Sequence, residues 1–260
     1  MGETFEISLP GLREEPLINN PQNLIIFSRP KVGKSTLLTG LEDSLLLDIE
    51  DGSNYLKNIR VLKAKTVEEI KAIGKLIKEA GNPYKYIAID TITALGPICI
   101  DYAEELYSRV PIGRYWFEPN RDGVTGKEIH GNILNLPKGG GYSFYWEAYE
   151  KIINYIMTWA PHLIQFGHVK DSEIGKEDNK FTSLDIDLRG KLKTIASSKS
   201  SAIGYLYRKG NQNILSFKTS DEVACGARPN HLSNKEIVLS EKQEDGSIKT
   251  YWDRIFIDKL

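Results

Sequence analysis

Two cysteines, Cys99 and Cys225, are all the thiols in this 260-residue chain. A pair cannot build the disulfide framework of a small secreted domain, and it fits a reducing compartment. No apolar run approaches the roughly 18 residues that span a bilayer. The opening Met-Gly-Glu-Thr-Phe-Glu lacks the basic start and apolar stretch of a signal peptide. Acidic Glu3 argues against lipidation at Gly2. These absences predict a cytoplasmic protein with no membrane partner. An excess of one charge is also missing. The net charge is −1, so the surface as a whole does not suit coating nucleic acid, and any such affinity needs a local patch. Repeats and low-complexity tracts are absent too. With 40% hydrophobic and 27% charged residues, what remains is an ordinary globular chain, long enough for a substantial core.

The most informative stretch is residues 24–36, Leu-Ile-Ile-Phe-Ser-Arg-Pro-Lys-Val-Gly-Lys-Ser-Thr. An apolar run of β type ends in a loop, and the loop ends in Gly33-Lys34-Ser35-Thr36. This is the layout of a phosphate-cradling P-loop, formed by Ser28, Arg29, Pro30, Lys31, Val32, Gly33, Lys34, Ser35 and Thr36. Backbone N–H groups of the loop and of a helix start point at the phosphates, and a helix dipole favours anions there. Lys34 reaches the β- and γ-phosphate oxygens, and the Ser35 hydroxyl can sit on Mg²⁺. One position departs from the pattern: Ser28 stands where the motif's first glycine usually falls. A chance Gly-Lys-Ser is common, but the strand before it and Leu37-Leu38 after it set this one apart.

Strands and helices alternate through the first two thirds of the chain. Residues 44–48 read as a short buried strand. Thr66 and Glu69 form a capping box ahead of a helix whose apolar residues run from Val67 to Ile77, stopped by Gly81-Asn82-Pro83. Residues 86–90 are the next strand, and a helix is expected around 98–108. Residues 110–143 differ, being rich in glycine and proline, and a loop of that length in a compact domain is usually functional or mobile. A helix over about 144–159 and a strand over 162–168 follow. Beyond residue 203 the pattern turns to β segments, with a hairpin turn at Asp245-Gly246. An alternating βα core followed by antiparallel strands predicts an α/β fold with a mainly parallel sheet.

Acids fall at the strand ends, where an open α/β sheet binds its ligands. Asp90 closes residues 86–89 and suits a Walker B carboxylate holding Mg²⁺ beside Ser35. Asp48-Ile49-Glu50-Asp51 closes the strand before it. Glu50 is the candidate general base for a water attacking the γ-phosphate, with a solvated acidic turn as the alternative. His168 ends the fourth strand, placed to touch a γ-phosphate or to serve as an ordinary strand-end histidine.

This order of elements resembles the RecA-type ATPases over about residues 20–230. It comprises a P-loop, an Asp-x-Glu strand end, then Ile-Asp-Thr-Ile-Thr-Ala-Leu, then a strand with a polar tip. The run 30–36 and the chain length are similar to compact phage-encoded RecA-like proteins of the nucleotide-binding, single-strand-annealing or recombinase type. The resemblance implies one RecA-like domain, residues 1–260, with a mainly parallel sheet flanked by helices, added antiparallel strands and a C-terminal hairpin near 234–256. It implies ATP and Mg²⁺ as cofactors, ATP hydrolysis, and catalytic roles for Lys34, Glu50 and His168. It also implies a homo-oligomer, ring or filament, with ATP at subunit interfaces. Single-stranded DNA is the implied partner, and the cytoplasm of a phage host the implied location.

Between Arg189 and Lys218 stand seven basic residues and no acid: Arg189, Lys191, Lys193, Lys199, Arg208, Lys209 and Lys218. Such a patch suits phosphate binding, which makes Arg189 through Lys209 candidates for DNA contact. The segment from Val169 to Leu188 occupies the place of a DNA-binding loop by resemblance, but its acids repel phosphate. Lys218 and Arg228 are candidates for a cation supplied to a neighbour's ATP. Tyr115, Trp116 and Phe117, near Arg114 and Arg121, could stack on bases or simply anchor the loop. Two other readings stand beside this one. One is an assembly or switch ATPase with a protein partner. The other is a small-molecule phosphotransferase, for which Arg114 and Arg121 are a thin arginine lid.

Overall fold

The computed structural model describes residues 12, 15–118, 131–174, 181–220 and 222–258. Arg121 and part of the glycine-rich insertion lie outside the described residues, as do Glu177 and Asp178. In chain order, β1 (Asn23–Ser28) leads into α1 (Lys34–Leu37), β2 (Ser44–Asp48) and a short strand β3 (Val61–Lys63). Then come α2 (Val67–Glu79), β4 (Tyr86–Asp90), α3 (Ile92–Ser108), α4 (Gly140–Ile156) and β5 (His162–Ile174). The last part contains β6 (Phe181–Ile186), α5 (Lys191–Lys199), β7 (Ala202–Lys209), β8 (Gln212–Ser216), β9 (Gly226–Ala227), β10 (Glu236–Lys242) and β11 (Ile248–Thr250).

The sheet runs β11-β10-β8-β7-β1-β5-β4-β2-β3, with β6 paired to β5 and β9 to β7. From β3 to β7 the pairings along this path are parallel. Beyond β7 they are antiparallel, as the hairpin-rich sequence requires. Every residue of β1 and of β2 is buried, so both strands need cover on two sides. Strands covered on both faces read as unbroken apolar runs rather than alternating ones. Alternate residues of β1 feed two cores. Ile25 and Phe27 pack with Ile70, Leu95 and Ile152 of the helices on one face. Leu24 and Ile26 pack on the other with Leu37, Leu38, Trp252 and Phe256. The expected fold class is the one observed.

Several boundaries differ from the sequence expectation. α3 starts at Ile92 because the Thr91 side chain accepts the Ala94 N–H as an N-cap, so the helix follows β4 directly and Pro97 lies inside it. α4 starts four residues early, at Gly140, after Gly139 in the left-handed region. β5 runs past His168, and its last six residues pair with β6 as an antiparallel ribbon. The Thr66–Glu69 capping box is present as read.

Candidate nucleotide site

The parallel strands bring β1, β2, β4 and β5 to one carboxyl edge, with Ser28 opposite His168 and Asp48 opposite Asp90. The loop leaving β1 carries Lys31 at φ 63° and Gly33 at φ 106°. At Gly33 that angle is one L side chains rarely adopt, so the motif glycine is required by the backbone. Ser28, in place of the usual glycine, is fully buried. Its hydroxyl donates to the Arg29 carbonyl at 2.9 Å and accepts from Lys34 Nζ at 3.2 Å. The departure thus gives the lysine a resting partner. Burial pushes the Lys34 ammonium below the ordinary lysine range, against the opposing charges of Asp90 and Glu50. Arg29 leaves the loop sideways to a two-pronged ion pair with Asp171, on the β5 extension.

α1 corrects one expectation. It is a single turn of four residues that passes into a 3₁₀ turn, Leu38–Gly40. Gly40 lies against Thr250, whose hydroxyl would overlap an added Cβ. The Trp252 indole N–H donates to the Leu37 carbonyl at 2.8 Å. The C-terminal segment therefore closes the helix early. The phosphate cradle rests on the N–H groups of the loop and first turn, with little from a helix dipole.

The acids at the strand ends separate into distinct roles. The Ser35 hydroxyl donates to Asp90. Asp90 is 5% exposed, and burial pushes its carboxyl up despite that hydroxyl and the Lys34 charge. Asp48 is turned into the loop, where it accepts from the Ser53 hydroxyl and from the N–H groups of Glu50, Gly52 and Ser53. Asp51 pairs with Lys63 and Lys65 on the surface. Glu50 alone of this cluster turns to the neighbouring strands. Its Oε1 accepts from the Thr91 hydroxyl at 2.5 Å. His168 Nε2 lies 3.0 Å from Oε1 and 3.2 Å from Oε2. A carboxylate only accepts, so Nε2 carries the proton. The His168 backbone N–H is held by the Thr93 hydroxyl at 3.1 Å. Thr91 and Thr93 were not singled out by sequence, although Thr91 follows the strand-end aspartate directly and Thr93 stands two positions further on. The Asp90–Thr91 peptide is cis.

The basic window is scattered. β7 runs parallel to β1, so Lys199 precedes it at the amino edge while Arg208 and Lys209 lie past the carboxyl edge. β7 alone holds them apart by about 23 Å at the usual rise per strand residue. Lys193 pairs with Asp185, Lys199 with Glu150 at 2.8 Å, and Lys218 with Glu236 at 2.8 Å. Lys191 Nζ lies 4.5 Å from the Trp146 ring centre. Arg208 Nη2 donates to the Val32 carbonyl at 3.0 Å, which puts it on the P-loop itself. Arg228 donates to the Ser198 carbonyl at the amino edge. Trp116 packs edge-on against Tyr107, whereas Tyr115 and Phe117 are exposed.

No group of three or more His, Cys, Asp or Glu side chains gathers into a metal site among the described residues. No described helix is long and apolar enough to cross a membrane.

A glycine-fixed phosphate loop whose serine meets a buried strand-end carboxylate, at the carboxyl edge of a parallel sheet, defines a P-loop NTPase. The chain belongs to the AAA domain family, whose model matches residues 20–228. The crystal structure of the RadB recombinase is similar over 89% of this chain and 92% of that chain, at 11% identity and a TM-score of 0.45. Comparison with curated proteins gives no match.

Proposed function

We propose that this protein is a RecA-like Mg-ATPase that works as a homo-oligomer, ring or filament, on single-stranded DNA in phage recombination or annealing. The observation that carries the ATPase reading is the convergence of Lys34, the Ser35–Asp90 pair and Glu50 at one sheet edge. Ser35 and Asp90 offer only oxygen donors. That set fits Mg²⁺, which binds through one or two carboxylates together with phosphate oxygens and water. When bound, Mg²⁺ offsets phosphate charge. Lys34 exchanges Ser28 for the β- and γ-phosphates. Glu50 accepts the proton of the attacking water, and His168 senses the γ-phosphate by giving up its hold on Glu50.

The DNA half of the reading rests on the basic residues and on the family resemblance. Lys218 and Arg228 remain the residues proposed to reach a neighbour's ATP. One observation favours a second reading, an assembly or switch ATPase with a protein partner: Lys193, Lys199 and Lys218 already have carboxylate partners. ATP turnover with and without single-stranded DNA separates the two. The DNA reading expects stimulation, and the protein-partner reading expects none. Lys34→Ala should lose ATP binding by calorimetry while its circular dichroism is unchanged. Unchanged affinity would overturn the P-loop assignment.

A further inference from the structure

Glu50 needs more than a place near the phosphates. A general base works only when its free oxygen is aimed at the water. Two groups hold its carboxylate, and they differ in kind. His168 spans both oxygens from a partly exposed position within β5, where the parallel sheet ends. Thr91 is fully buried and touches one oxygen only. Its own hydrogen bonds fix the direction of that contact. The Thr91 oxygen accepts the Ala94 N–H at 3.2 Å, and its single hydrogen goes to Glu50 Oε1. Thr91 is also attached to Asp90, so it stands on the same backbone as the carboxylate that meets Ser35.

We propose that Thr91 is the positioning residue of Glu50. Its hydroxyl occupies Oε1 and leaves Oε2 as the oxygen that takes the proton once His168 moves. The inference rests on the ATPase reading above and adds the residue that aims its base.

The test uses steady-state ATP turnover and calorimetric ATP binding on the full chain. Thr91→Val removes the hydroxyl at constant shape and should lower kcat about 10- to 100-fold, the range of a lost hydrogen bond to a charged group. The ATP dissociation constant should be unchanged, and Thr91→Ser should recover most of the turnover. Because Thr91 also caps α3, two further measurements separate the roles. The thermal melt of Thr91→Val gives the cost of the lost cap, and turnover read well below that melt, in the folded protein, gives the loss at Glu50. In the Glu50→Gln background Thr91→Val should cost nothing further, because the residue acts through Glu50. Normal turnover in Thr91→Val, beside an inactive Glu50→Gln, would overturn this inference and leave the ATPase reading intact. An equal further loss in the Glu50→Gln background would overturn it too, making Thr91 a cap alone. A wild-type protein without ATP turnover would overturn both.

Discussion

Asp90 and Asp48 are paired in the sheet yet shifted in opposite directions, and each shift has a consequence. Burial lifts the Asp90 carboxyl above the ordinary range. A group raised in this way is neutral without penalty below its unfolded value of about 3.9. It becomes unfavourable to folding as pH rises through the higher folded value. Asp90→Asn removes that penalty at neutral pH and still accepts from Ser35. It should melt at or above the wild-type temperature while losing the thermal shift produced by Mg-ATP. A variant less stable than wild type without nucleotide would contradict this account. At Asp48 burial also pushes the carboxyl up, but the Ser53 hydroxyl and the N–H groups of Ser53, Gly52 and Glu50 outweigh it and hold the carboxyl low. Its stabilisation is complete above about pH 3.9 and is lost as pH falls through the lower folded value. Asp48→Asn should therefore cost about 1–3 kcal/mol in a denaturant melt at neutral pH. Glu50→Gln should leave the melt alone and reduce turnover by about 10² to 10⁴. The reverse pattern would move the base to Asp48.

Gly141, in the first turn of α4, shows how the elements lock. An added Cβ there would overlap the Ile133 carbonyl oxygen, so the 3₁₀ turn Ile133–Asn135 lies directly on the helix. Gly141→Ala should destabilise the chain by about 1–3 kcal/mol, read from urea unfolding, with ATP affinity kept in the folded fraction. This contact joins residues close in sequence, yet nothing in a Gly-Gly-Gly run says which glycine is pressed. What was legible followed from local chemistry. β1 showed itself because a strand covered on two faces is apolar throughout, and α2 because Thr66 and Glu69 cap each other. What stayed hidden depended on distant partners. The helical look of Lys34 to Leu38 gave no hint that Thr250 and Trp252 would end α1 after one turn. Among Asp48, Glu50 and Asp51, sequence named Glu50, but the reason lies in Ser53, Lys63 and Lys65 occupying the other two. Thr91 was invisible because its role needs Glu50, 41 positions away.

Over the whole molecule, charge decides the partner. A net charge of −1 gives no general attraction to nucleic acid. The basic window reads as a patch along the chain, but β7 separates its ends and acids pair three of its members. If single-stranded DNA binds there, affinity should fall with salt, each neutralised phosphate adding roughly −0.7 to the log–log slope. Replacing Lys191, Lys193 and Lys199 by Gln should flatten that slope by at most about two units, and by less if the paired lysines stay with Asp185 and Glu150. Filter binding across a salt series measures it. No binding at any salt, with Mg-ATP present, would favour the protein partner.

The Trp252 indole on the Leu37 carbonyl makes the nucleotide loop's own helix depend on residues beyond the family match, which ends at 228. With Leu239, Ile255 and Phe256, Trp252 roofs the apolar face formed by Leu37, Leu38 and Leu206. A boundary drawn where the family model stops would cut through one hydrophobic core and strip the cover from the segment that follows Lys34. The span that the family model matches and the span that closes this core are therefore not the same length, and the tail braces the segment that carries Lys34.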